Sequence, residues 1–462
     1  MSRRTIRPAA GARVLLGAAL AAASVLAVVA AVAAPWPQVR GQQVGTTVTP
    51  VPRDTVLVCN GSFRVLGREA ARAELMVSAA APSLRIDGEE DAATSVELSM
   101  PDVTGGTGAQ AVIGRIAARS VPQVAASESV RLAEPDATGF AAAPCREPSL
   151  EGWIVGGDVS TGASDIILLS NPGVVTATVD LDVYGTTRSA STVVVPPQTQ
   201  LGVPLAAVAA GAGTPVVRVT ATGAPVRAVL QSTLVRALDP IGVDLQDSVS
   251  GTQRQQTILG VRAASAAPGD DHGGVVVRML APEADARATV RVRASESSRI
   301  LDEYSIDLVE ATPTEITLAG LAEGDYDIDI SATSPVVSAV RQTMQTGSIE
   351  DFAWSLPSPQ LAGETTIPFS VPNGPAAELH LRNPGQTPVT VELHDIAGGS
   401  GVHSPISLPG GGSAAVRLDP GGYALSPSGA VSASVGMRDG TGIAAWPLWA
   451  AAATQQPIIV RP

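Results

Sequence analysis

The sequence predicts an all-β fold: tandem immunoglobulin-like β-sandwich domains after one N-terminal transmembrane or signal helix. Three observations carry that prediction. Short runs rich in Val and Thr alternate apolar with polar residues through most of the chain, separated by Pro, Gly, Asn and Asp. Ordered landmarks return at intervals of about 100 residues, a period that indicates tandem domains and not a solenoid. The longest charge-free apolar run lies at the very start, behind a cluster of arginines.

That start sets the compartment. Residues 1–13 form an Arg-rich stretch (Arg3, Arg4, Arg7, Arg13), and residues 14–34 run 21 residues without a charge. As a helix at ~1.5 Å per residue this run is about 31 Å long, one bilayer core. The arginines place the N-terminus in the cytoplasm and the remainder outside. The expected location is the cell membrane, single-pass with an extracytoplasmic C-terminal region. Ala31-Val32-Ala33 matches the small-x-small pattern of a signal-peptidase site, and cleavage there would give a secreted protein. The length of the run favours retention as an anchor. Trp36 fits an interfacial aromatic position, and residues 35–53 are a Thr-, Pro- and Gln-rich linker.

The two cysteines, Cys59 and Cys145, both follow the apolar run. In an oxidising compartment such a pair is expected to form one disulfide, with two unrelated buried thiols as the alternative. Composition narrows the function. Aromatic residues are 3% of the chain, which favours thin Val/Leu/Ala layers over large ligand cavities. All 30 basic residues are Arg, and 26 of them stand against 43 acids once the four before the anchor are set aside. So acidic a surface, with no basic patch interleaved with aromatics, excludes nucleic acid as a partner.

Four β regions follow: a degenerate first domain at 54–148 and repeats at 149–253, 254–357 and 358–462. Thr176 to Val183, Ala288 to Arg293 and Pro388 to Leu393 each alternate in the manner of a half-buried antiparallel strand. Asn171-Pro172-Gly173 precedes the first of these and Asn383-Pro384-Gly385 the third, with Ala281-Pro282-Glu283 at the corresponding turn of the middle copy. Apolar anchors ten residues apart come next: Val195 and Leu205, Leu308 and Leu318, Leu408 and Leu418. The third landmark reads as a hairpin with a small-polar turn, at Val217 to Val229, Tyr326 to Val340 and Tyr423 to Val435. About seven strands per unit suits a sandwich. In the first region Thr55 to Cys59 would open the domain and Phe140 to Pro144 close it. Comparable closing strands occur at Phe352 to Trp354 and Ile443 to Trp446, whose Trp354 and Trp446 read as core indoles.

This layout of an Arg-rich start, one Ala-rich span, a short strand ending in Cys (Leu57-Val58-Cys59) and Asn-Pro-Gly-led repeats resembles an uncharacterised actinobacterial envelope family. That family is classed as a domain of unknown function, and its members are typically encoded beside a large glycosyltransferase. Asn60-Gly61 departs from the Pro-Gly expected after the cysteine. The resemblance implies location, architecture and an envelope protein or glycosyltransferase as partner; it transfers no catalytic residue.

The motifs of catalysis are absent from the sequence. It has no Gly-x-Ser-x-Gly elbow, no phosphate loop and, without any Lys, no Ser-x-x-Lys nucleophile. Gly410-Gly-Gly-Ser413 reads as a flexible turn between strand anchors. Of His272, His380, His394 and His403 the nearest pair is nine residues apart, which does not make a zinc site. His380 and His394 flank the Asn383 turn and read as surface strand residues. Asp325, Asp327 and Asp329 place three carboxylates on one strand face, where a calcium ion is weighed against a solvated face and the solvated face preferred. Asp270-Asp271-His272 and Glu89-Glu90-Asp91 read as exposed connectors. The expectation is therefore no catalytic, cofactor or metal residue, and a non-catalytic extracytoplasmic cell-envelope scaffold or interaction protein. A secreted glycan-active hydrolase and a calcium-dependent adhesin are the alternatives.

Overall fold

A computed structural model describes residues 9–33, 46–48, 53–68, 75–88, 93–116, 122–264, 274–297, 299–347, 349–363, 365–396, 404–450 and 458–460. The expected linker positions through Trp36, the Glu89 to Asp91 and Asp270 to His272 clusters and His403 lie outside the described residues. The chain divides into two compact units: residues 1–50 with 456–462, and residues 51–455.

In the first unit, helix Ala9–Ala33 is built from Ala, Leu and Val and stops just before Pro35, which cannot continue a helix. Its segment Leu15–Ala33 is long and apolar enough to cross a membrane. Strand Thr46–Val48 of this unit pairs antiparallel with Ile458–Val460.

Among its described residues, the second unit is built of β-strands apart from one short helix, Leu205–Val208, and one strand order recurs in it three times. In the region of 149–253, strands Glu151–Ile154, Val216–Thr222, Ala177–Tyr184 and Ser189–Val195 make one sheet in that order. Thr199–Pro204, Ile166–Asn171, Arg227–Arg236 and Asp239–Asp247 make the other. The next two regions repeat both sheets, filling eight strand positions each where about seven were expected. The sheets face each other across a Val/Leu/Ala core: Ala177, Val179, Leu181 and Val183 from one pack on Ile167, Leu169, Ala228 and Leu230 from the other. The alternating stretches read from sequence are these half-buried strands.

The anchor pairs are all buried, from Val195 to Leu418, and each marks a crossing from one sheet to the other. The third landmark differs from its expectation as a hairpin. Val216–Thr222 and Arg227–Arg236 belong to opposite sheets, and in the middle repeat a single 23-residue strand, Gly324–Thr346, serves both. The small residues and Pro225 or Pro335 let the chain bend between sheets instead of turning back on itself. Tyr326 and Tyr423 begin this segment in their repeats, and each hydroxyl donates to the carbonyl four residues upstream, of Ala322 and Asp419, at 2.8 Å. Such a tyrosine corner pins the entry of the crossing strand.

Among the described residues, each sheet of the first region has three strands where the repeats have four. Thr55–Val58, Gln110–Gly114 and Ala93–Glu97 form one sheet; Ser83–Gly88, Val124–Glu134 and Ala137–Pro144 form the second. A hairpin, Phe63–Leu66 with Met76–Ala80, is inserted between its first two strands. Cys59 and Cys145 are joined, tying the ends of its opening and closing strands across 86 residues.

Candidate functional site

The final strand of each region, Ala137–Pro144, Asp239–Asp247, Ile349–Ser355 and Gly442–Pro447, packs toward the middle of the unit. Each lies against the next, and the fourth returns to the first, so the four regions close a ring. At matching positions stand Gly139-Phe140, Gly242-Val243, Asp351-Phe352 and Gly442-Ile443. The Asp351 carboxylate fills the space that the three glycines leave. One oxygen accepts the N–H of Phe140 (2.9 Å) and Ile443 (3.2 Å), the other those of Val243 and Phe352 (both 3.1 Å). One side chain thus takes a backbone donor from every region. A Cβ on Gly139 or Gly242 would sit 2.6 or 2.5 Å from its Oδ1, and Gly139 has a φ of +145°, so glycine is required there. Burial pushes this carboxyl well above its usual range, against the downward pull of the four donors.

Where these strands end, a pocket of about 280 Å³ opens. Phe369, Trp446 and Trp449 supply aromatic faces and five prolines supply rigid apolar walls. Its ionisable lining among the described residues is Arg146 and Glu147. Arg146 is held on three sides: its guanidinium lies 3.5 Å above the Trp449 ring, pairs with Asp247 at 3.1 Å and donates to the Ser248 carbonyl at 3.1 Å. Arg227 bonds the same Asp247 carboxylate from within, at 3.0 Å, and reaches the Val58 and Pro144 carbonyls. The pocket's arginine is therefore committed to the protein, and the rest of its lining is mostly aromatic, proline-rich and hydroxylated.

Cys145 also lines this pocket, while Cys59 is fully buried behind it. The Glu128 carboxylate lies within 4.8 Å of both sulfurs. It accepts the N–H of Asn60 at 2.5 Å and of Gly61 at 3.3 Å, the two residues after Cys59. Burial raises its carboxyl to about 7. These three groups are close enough to hold a metal ion, but the sulfurs are bonded to each other and offer no thiolate.

The acids weighed for calcium do not form a solvated face. They line the seam between the last two repeats. Asp325 is bonded by both arms of Arg438, Asp329 by Arg293 (2.7 Å) and Arg382 (3.2 Å). Asp327 is buried and accepts the hydroxyls of Ser295 and Ser413. The solvated reading failed because acidic alternation looks the same whether it meets water or arginines. His380, read as a surface residue, is buried in that seam against Gly260, and burial lowers its imidazole. His394 is exposed beside Glu392 and sits in the opposite sheet. Trp354 and Trp446 are buried, as core indoles should be. The glycine turn at 410–412 packs on the Asn383 turn: Gly411 N–H donates to the Gly385 carbonyl and Asn383 N–H to that of Gly412.

Sequence reading missed Asp351, Glu128 and the pocket. Asp351 had a signal, one acid in a column of glycines once the closing strands are aligned. The pocket had none, because its walls come from strand ends in different regions.

The fold and site define a class: an all-β protein of two-sheet repeats closed about a common centre, with one N-terminal apolar helix and a single disulfide. The chain belongs to a family of unknown function (DUF5719), which it matches over residues 101–419. No curated protein and no solved structure matches it.

Proposed function

We propose that this chain is a non-catalytic extracytoplasmic cell-envelope protein, held at the membrane by its N-terminal helix, that seats a partner in the aromatic pocket at the end of its β ring. The pocket carries the reading. Aromatic and proline walls with hydroxyl groups at the rim suit recognition of a partner's surface. Glycoside hydrolysis needs two carboxyl groups ~5–9.5 Å apart, and Glu147 is the one carboxylate in the described lining. The resemblance to an envelope family encoded beside a glycosyltransferase supports such an enzyme as the partner and an accessory role for this chain.

The test is in-cell crosslinking of the C-terminally tagged full chain, comparing the natural protein with Trp449→Ala and Phe369→Ala. Capture of an envelope glycosyltransferase from the membrane fraction by the natural protein, reduced at least about tenfold in both variants, is expected for loss of a central aromatic anchor. Recovery of processed protein from the medium with no enriched partner would replace the tethered reading with a secreted one. Equal capture by the variants would move the interface off the pocket.

A further inference from the structure

We infer that the Cys59–Cys145 disulfide is a site of thiol–disulfide exchange in the folded protein, open to a small dithiol through the pocket, with Glu128 as the proton donor and acceptor for Cys59. The inference is independent of what the pocket binds.

The geometry gives each group a distinct place. Cys145 is part of the pocket wall and is 5% exposed where Cys59 is 0%, so it is the half of the disulfide nearer the opening. Cys59 has no exposure and is the leaving sulfur. A thiolate released into a buried apolar position is costly unless it is protonated at once. Its neighbours in the small core there, Leu57, Val112, Val124 and Ala126, offer no proton. Glu128 does, within 4.8 Å. The groups facing Glu128 fix its titration. Arg227, from the neighbouring repeat, draws it downward, and Arg227 is itself bonded to Asp247, which Arg146 also holds. Strands Thr55–Val58 and Ala137–Pro144 bring no ionisable side chain against it. Arg85 and Asp87 on the adjoining strand sit at register positions of the opposite face, since Leu84 is the partner of Glu128. With burial dominant, the carboxyl is divided between its two forms near neutral pH, the condition for efficient proton transfer.

The chemistry balances as follows. A dithiol thiolate attacks Cys145 Sγ, forming a mixed disulfide and expelling Cys59 thiolate, which takes the proton of Glu128. The second thiol of the reagent then attacks the mixed disulfide, closes the oxidised ring of the dithiol and releases Cys145 as a thiol. The reagent loses two electrons and the protein disulfide gains them. In reverse, the Glu128 carboxylate removes the Cys59 proton during oxidation.

The experiment uses the full chain in detergent with dithiothreitol as probe, quenched by alkylation and read by mass, between pH 5.5 and 8.5. In the natural protein the reduction rate should be proportional to dithiol concentration, with a break in its pH dependence near 7. In Glu128→Gln it should be about a hundredfold slower at pH 6, the loss of one general acid, with the gap closing above pH 8 and the break gone. Glu128→Asp should restore a break. A rate independent of dithiol concentration, set by global unfolding, would overturn the inference. So would identical pH profiles for the natural protein and Glu128→Gln, checked at equal melting temperature of the oxidised forms.

Discussion

Asp351 shows how much one side chain can organise. Each of its oxygens already accepts two N–H groups, so a neutral carboxyl would have to turn a proton toward a donor. Asp351→Asn does the same with an amide, whose NH2 group would oppose two of the four donors. We expect this substitution to cost about 3 kcal/mol, the scale of a broken buried charged network. Chemical denaturation measures it, and a loss below about 0.5 kcal/mol would contradict the role assigned to the carboxylate. Glu128 and Asp351 escaped sequence reading for one physical reason. Each is buried by strands distant in the chain, and nothing local to an acidic residue announces burial. The cysteines were legible because a chain with two cysteines offers a single pairing. The spacing of Asp325, Asp327 and Asp329 was legible too, but not what they face.

At the scale of elements, the Asn-Pro-Gly turns were read correctly as landmarks, and their chemistry is now explicit. Asn171 Nδ2 donates to the carbonyls of Val175, Val195 and Pro196, and its Oδ1 accepts Gly173 N–H. Asn383 repeats the pattern with Thr387, Leu408, Pro409 and Gly385. Each asparagine ties its own turn to the start of the crossing that follows the edge strand, which explains why the turn and the apolar anchors recur together. Asn383→Ala removes all four bonds, among them the buried one to the Leu408 carbonyl, while the Pro409 carbonyl keeps the N–H of Gly412. A loss of about 2 kcal/mol is expected in urea titration. Asn383→Asp should fare no better, because a carboxylate keeps the acceptor and lacks the donor. Alternation located the strands well; it misjudged the third landmark as a hairpin. A small-polar break between two apolar runs is equally what a chain needs to change sheets, and only the partners of each run decide between the two.

For the whole molecule, period and composition foretold β repeats behind an apolar helix but not their closure. Closure depends on the last strand of each region meeting three others, a contact that no window of sequence contains. It has a thermodynamic consequence. Domains strung on linkers melt separately, whereas regions sharing a buried carboxylate and continuous seams lose one another's support. Calorimetry of residues 51–455 within the full chain is expected to give a single endotherm with matching calorimetric and van't Hoff enthalpies. Three or four resolved transitions would mean that the seams add little.

The centre of the ring also limits how alike its four parts can be. If all four carried aspartate at this place, four negative charges would crowd a space suited to one. If all four carried glycine, four N–H groups would point into a void. Only an odd member among three equal ones satisfies the site, so perfect internal symmetry is forbidden at the one point where the copies meet. One residue there sets the third copy apart from the other three.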